Sequence, residues 1–272
     1  MKRWVATCAA AVMLVSAVLH ADLTITQTVT VEGGAAAMMG GNAAPRIVLR
    51  IKGTRTRSET EVMGQSTVVL SDLATKQMVM LNGADKTARV VDATSPAIPA
   101  GTPMPDMEMS FKPTGQKRTI DTMVCDEYAI AMTMSMGSMA PPGTQMPPEA
   151  AAMLKDLKMV LTGSTWLAKS GPGVAEFAAY QKAATDANMG AAVSAAMGGS
   201  SNGFDKILAA SSSAQGLPYL TEMTMSIEGT GPMVEMMKQM GSMKITNKVT
   251  AISTEALSDD LFKVPADYKL VK

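Results

Sequence analysis

The chain has 272 residues, with 24 Lys plus Arg against 24 Asp plus Glu, 47% apolar residues and only 4% aromatic ones. Such a composition excludes a disordered polyelectrolyte, and a formal net charge of zero excludes a basic phosphate-neutralising surface, so no nucleic-acid partner is expected. Methionine occurs 27 times, an excess that any functional reading has to account for.

Met1-Lys2-Arg3 precedes an apolar run from Trp4 to Leu19, and His20-Ala21-Asp22 follows. The run is shorter than the roughly 20 residues that span a bilayer, and a small residue precedes the polar sequence. This pattern predicts a cleavable secretory signal peptide over residues 1–21, hence a periplasmic or secreted protein. Cleavage after Ala21 leaves 22 basic and 24 acidic residues and 25 methionines, and removes His20, the only histidine, together with Cys8. Without histidine there is no Ser-His-Asp or Cys-His nucleophile and no imidazole metal ligand. Cys125 then has no internal disulfide partner. It reads as a small buried residue rather than a reactive thiol, because no base is predicted beside it.

Residues 23–31 alternate, with Leu23, Ile25, Val29 and Val31 on one face and four threonines on the other, which predicts a half-buried strand. Ile47, Leu49 and Ile51 form the next apolar face. Gly53 turns the chain into a strand over 54–62, where Arg55, Arg57, Glu59 and Glu61 share a face, and Gly64 turns it into 66–71. Strands over 78–82 and 87–92 flank Asn82-Gly83-Ala84-Asp85, a hairpin signal. Pro96, Pro99, Pro103, Pro105 and Pro113 predict an extended connection. A long strand over 119–136 follows, with Tyr128, Ile130, Met132, Met134 and Met136 on one face and Cys125, Glu127 and Ala129 on the other. The next strand, 159–167, contains Trp166.

The texture changes over about 173–213, a helical insert with a helix at 174–187 and shorter candidates at 191–197 and 204–210. Alternation returns at Met223, Met225 and Ile227, and again at Met243, Ile245, Val249 and Ala251. Between these two strands, Pro232 and Gly241 bracket Met233, Met236, Met237 and Met240 at helical spacing, a methionine-faced helix over about 232–240. Strands, then helices, then strands predict a single α+β domain over 22–272: a curved antiparallel sheet with helices on one face.

The ending LFKVPADYKLV (Leu261 to Val271), the segment GTRTRSE (Gly53 to Glu59), Cys-Asp-Glu-Tyr (Cys125 to Tyr128) and Trp166 before the helices carry a resemblance. Together they resemble a family of exported bacterial proteins of unknown function, itself similar to the outer-membrane lipoprotein carriers LolA and LolB. The resemblance spans most of residues 23–271. It implies an open half-barrel plugged by helices, an apolar cavity, and binding of an acyl chain or other apolar group. A membrane or lipoprotein partner is compatible with it, and no oligomeric state follows from it.

The methionines admit three readings. They replace Leu, Ile and Phe as fillers of an irregular core. Or they line an adaptable cavity for a lipid or acyl chain, with Tyr128, Met132, Met134, Met136, Trp166, Met223 and Met225 on its wall and the helix bearing Met233, Met236, Met237 and Met240 as its lid. Or their soft thioethers hold Cu(I), through Met-x-Met pairs at Met107/Met109, Met132/Met134 and Met223/Met225 that act across neighbouring strands. The Arg55–Glu61 stripe reads as a strand face with cross-strand ion pairs, and Asp259-Asp260 as the cap of a helical turn. The glycine clusters lack the Lys-Ser/Thr ending of a phosphate loop. The expectation is a non-enzymatic binding protein without a resident cofactor.

Overall fold

The computed structural model describes residues 22–33, 44–62, 64–92, 107–135, 156–187, 213–239 and 241–271. They form one open sheet of 12 strands, in the order β12-β6-β5-β4-β3-β2-β1-β11-β10-β9-β8-β7. The strands are β1 (Leu23–Glu32), β2 (Arg46–Lys52), β3 (Arg55–Val62), β4 (Gln65–Asp72), β5 (Gln77–Asn82), β6 (Thr87–Asp92), β7 (Met107–Ile120), β8 (Met123–Ser135), β9 (Lys158–Ala168), β10 (Leu217–Glu228), β11 (Met243–Ser253) and β12 (Lys269–Val271). Two helices are described, α1 (Val174–Asp186) and α2 (Pro232–Gln239). Neither is long and apolar enough to cross a membrane. The signal-peptide segment and the helical candidates at 191–197 and 204–210 lie outside the described residues.

Three expectations are corrected. The sheet is mixed rather than antiparallel, because β12 runs parallel to β6, with Lys269, Leu270 and Val271 opposite Thr87, Ala88 and Arg89. The predicted connection through Pro113 ends in a strand: Pro113 sits inside β7. That strand lies at the sheet edge, and the register against β8 is irregular between Pro113 and Lys117, two settings in which a strand tolerates proline. The predicted single strand over 119–136 is broken at Asp121 and Thr122, where Asp121 takes a left-handed φ of 54° and the chain folds back as the β7–β8 hairpin.

The main core follows from β1. Leu23 and Ile25 are 0% and 1% exposed, and register places Ile51 beside Leu23, and Leu49 and Ile252 beside Ile25. Helix α1 lies on this face, with Val174, Phe177 and Tyr180 packed into the cluster. It begins at Gly173, whose backbone approaches so closely that a Cβ there would meet Leu23 and Ile252 at 2.6 and 2.8 Å. Further along, Tyr180, Ala183, Ala184 and Ala187 surround Leu73. The Tyr180 hydroxyl bonds to Thr56 and Ser71, which lie in the same register row as Ile51. Burial raises that phenol's pKa despite those hydrogen bonds, which act the other way.

The opposite face of β2–β6 is covered by the chain's own end. After β11, residues 254–268 run back as a strap. Val264 and Tyr268 pack on Leu70, Leu81 and Ala88. Lys52 donates to the Leu257 carbonyl at 2.6 Å, Arg57 to the Leu261 carbonyl at 3.1 Å, and the Leu257 amide to Asp22 at 2.6 Å. Ser258 caps a short 3-10 turn over Asp259–Phe262 by accepting from the Asp260 amide. Asp259 binds Arg55 at 2.6 Å and Lys52 at 3.3 Å. The Arg/Glu stripe therefore does form ion pairs, with Arg50–Glu59 at 3.0 Å and Arg57–Glu59 at 2.5 Å, but it serves as the bed of the strap.

Candidate functional site

Strand alternation and register decide which candidates share a surface. From Cys125↔Ala168 to Ser135↔Lys158 the β8–β9 ladder has no irregularity, so its two faces are unambiguous. One face carries Tyr128, Ile130, Met132 and Met134 on β8, facing Thr165, Gly163, Leu161 and Met159 on β9. Register extends each row. Met109, Met132, Leu161, Met225 and Met243 stand side by side across β7 to β11. Phe111, Ile130, Gly163, Met223 and Ile245 form the next row, and Met134, Met159 and Ile227 a third. Methionines distant in sequence thus meet as cross-strand neighbours about 4.5–5.5 Å apart at Cβ.

Met132, Met134, Met223 and Met225 are brought together on this face and are all half-buried. Tyr128 joins them at its end, with its ring stacked on Phe111 at 4.9 Å between centroids. Trp166 does not: it alternates with Thr165 onto the other side of β9, where the Arg118 guanidinium lies 4.2 Å from its ring. Met136 and Met240 lie outside the described residues. Met233, Met236 and Met237 belong to α2, whose described buried side chain is Val234, 2% exposed.

Gly163 makes the face continuous. A Cβ there would meet the Glu222 carbonyl oxygen at 2.0 Å and the Met223 Cα at 2.8 Å, so β9 and β10 approach to a distance only glycine permits.

Beyond the Tyr128 end of this face, where Asp126 pairs with Lys117 at 3.4 Å and Lys169 reaches the Tyr128 hydroxyl, the ion pairs of β10 and β11 lie on the reverse side. Glu222 pairs with Lys244 at 3.2 Å and with Arg118 at 4.0 Å, and Asp121 pairs with Lys248 at 3.1 Å. Hydrogen bonds from Lys248 and Tyr219 hold the Asp121 carboxyl below its ordinary pKa. Burial and the same carboxylate push the Tyr219 phenol up to about 12. Burial also raises the Cys125 thiol, which is 0% exposed, so its surroundings disfavour the thiolate. Among the described residues no three His, Cys, Asp or Glu side chains gather as a metal-binding group.

Sequence reasoning named Tyr128 but missed the polar residues that join it on the methionine face. Tyr128, Thr165, Thr221 and Asn247 occupy one register row at its inner end. The Thr165 and Thr221 hydroxyls share a hydrogen bond at 2.8 Å, and Asn247 Nδ2 donates to Gln27 Oε1 at 3.3 Å. A signal was available: Gln27 interrupts Leu23, Ile25, Val29 and Val31, and Asn247 interrupts Met243, Ile245 and Val249.

Two depressions are described elsewhere. One, of about 460 Å³, lies between the start of α1 and residues 213–216, and one of about 900 Å³ lies among Ser66, Met80, Arg89 and Val271. Neither is lined by the candidate methionines. No protein-family model and no curated protein matches the chain.

Proposed function

We propose that this is a non-enzymatic, extracytoplasmic binding protein whose ligand is apolar, a lipid or acyl chain, held on the methionine face of β7–β11. The observation that carries this reading is the row Met109, Met132, Leu161, Met225 and Met243, flanked by two further apolar rows, with its members held side by side across five strands. A core needs methionine only as an occasional gap-filler, whereas a surface accommodating chains of varied shape benefits from many unbranched thioethers. The order of strands around β1 and β11, with α1 against the sheet, is compatible with a curved half-barrel of the lipoprotein-carrier type. A membrane or lipoprotein donor would fit such a carrier. The leader over residues 1–21 would place it in the periplasm or outside the cell.

Native mass spectrometry of the protein purified from its own host tests the reading. Bound lipid that leaves on organic extraction supports it. A protein that carries no adduct and displaces no apolar dye contradicts it.

Register also favours a second reading. Met134 stands in register between Met107 and Met159, and Met132 is opposite Met109, so three methionines are cross-strand neighbours of the β8 pair. Soft thioethers in that number suit Cu(I). Titration with Cu(I) against a competing chelator decides it: competitive binding lost in Met134→Leu supports a metal site, and indifference to Cu(I) removes it.

A further inference from the structure

The methionine rows end at the polar row, and its chemistry specifies the ligand's other end. Tyr128, Thr165, Thr221, Asn247 and the adjoining Gln27 are all uncharged. Thr165 is 4% exposed and the other four are half-buried. Its hydrogen bonds leave one polar atom unsatisfied: Asn247 Oδ1 is buried and has no hydrogen-bond partner among the described residues. A buried carbonyl oxygen left unpaired carries the full cost of its lost hydration, which a ligand donor would relieve. The nearest cation has no donor left to hydrogen-bond a charged ligand. The Lys169 ammonium donates to the Ala214 carbonyl, to the Gln215 carbonyl at 2.6 Å and to the Tyr128 hydroxyl at 3.4 Å, which uses its three donors.

We infer that the ligand is a neutral amphiphile, with its hydrocarbon chain along the methionine rows and an uncharged headgroup bearing a hydrogen-bond donor, a hydroxyl or an amide, set against Asn247 Oδ1. The inference rests on the methionine face being the binding surface. From the polar row to the row of Met134 and Met159 is six residues along β8, about 20 Å of strand, which suits a long chain. A carboxylate or phosphate headgroup offers only acceptors. It would meet an unpaired acceptor in Asn247, and the Lys169 ammonium has no donor left to replace its lost hydration.

Displacement of the dye N-phenyl-1-naphthylamine from the full-length mature protein, by chain-matched compounds at pH 8, tests this. The compounds are dodecanol, its methyl ether, which lacks the donor, and dodecanoate, which carries the charge. Dodecanol is expected to bind on the order of tenfold more tightly than either, the worth of one buried hydrogen bond. In Asn247→Leu the advantage of dodecanol over the ether should vanish while the dye still binds. Equal binding of dodecanol and its ether by the wild-type protein, or tighter binding of dodecanoate, overturns the headgroup assignment and leaves the apolar face standing. Failure of the dye and all three compounds to bind overturns the apolar face and the assignment with it. The wild-type comparison decides the matter even if Asn247→Leu does not fold.

Discussion

The two halves of the sheet treat their surfaces differently. In the β1–β6 half, the chain itself packs on both sides: α1 lies on Leu23, Ile25 and Ile51, and the strap carrying Val264 and Tyr268 lies on Leu70, Leu81 and Ala88. In the β7–β11 half, the methionine face is half-buried, and its reverse carries the ion pairs of Glu222, Asp121 and their lysines. The main core joins both halves, since Met123, Cys125, Trp166 and Val249 belong to it together with Leu23 and Ile25, but the second half also keeps rows of adaptable side chains half-buried. The contrast teaches that the methionine count is not one phenomenon. Met123 is 2% exposed inside the main core, while Met132, Met134, Met223 and Met225 are not closed in.

Truncation separates the halves most sharply. Leu23→Ala removes a fully buried side chain from under α1 and should destabilise the protein by about 2–5 kcal/mol, read as a lowered denaturant midpoint. Met134→Leu on the open face should change stability by less than about 1.5 kcal/mol, because volume is conserved and the site is half-buried. Equal losses in the two variants would erase the distinction.

Gly163→Ala should come next in size. The new methyl group must displace the β10 backbone at Glu222, at a cost of about 1–3 kcal/mol, and it should also weaken dye binding by disturbing the rows beside it.

The smallest effect is pH dependence on the strap side. Burial acts to raise the Glu59 carboxyl, but hydrogen bonds and charge from Arg57 and Arg50 outweigh it and hold the pKa below the ordinary 4.5. Hydrogen bonds from Arg55 and Lys52 likewise hold Asp259 below 3.8. A carboxyl depressed in the folded state stabilises it above the unfolded pKa, and that contribution disappears as pH falls through the folded value. The melting temperature should therefore drop as pH falls from about 5 to below 4, and drop less in the double variant Glu59→Gln, Asp259→Asn. An unchanged acid response in the double variant would show that the strap's charges contribute nothing to this dependence.

Much of this architecture is legible in local pattern. The alternation of β1, the Asn-Gly hairpin between β5 and β6, helix α1 and the Pro–Gly bracketing of α2 all follow from short-range chemistry. What escapes is non-local or lies at edges. Pro113 disguises β7 because an edge strand tolerates a residue that a central one does not. The reversal at Asp121 carries no glycine to announce it. The strap joins Lys52, Arg55 and Arg57 to partners about 200 residues away, a separation that no periodicity encodes. Trp166 is the instructive case at the site. Thr165 through Ala168 are all buried, so burial loses the period of two there, and only the register against β8 assigns the side of each. The methionine rows were visible as faces of single strands, but their meeting across strands is set by register and by the tight approach at Gly163.

The most direct test is an NMR titration of protein labelled with 13C at the methionine methyl groups, with dodecanol added and resonances assigned through Met→Leu variants. The account predicts saturable shifts of Met132, Met134, Met223 and Met225, while Met123 in the closed core and Met80 at the far end of the sheet stay in place. Shifts at Met80 alone, or none at any methionine, would contradict it.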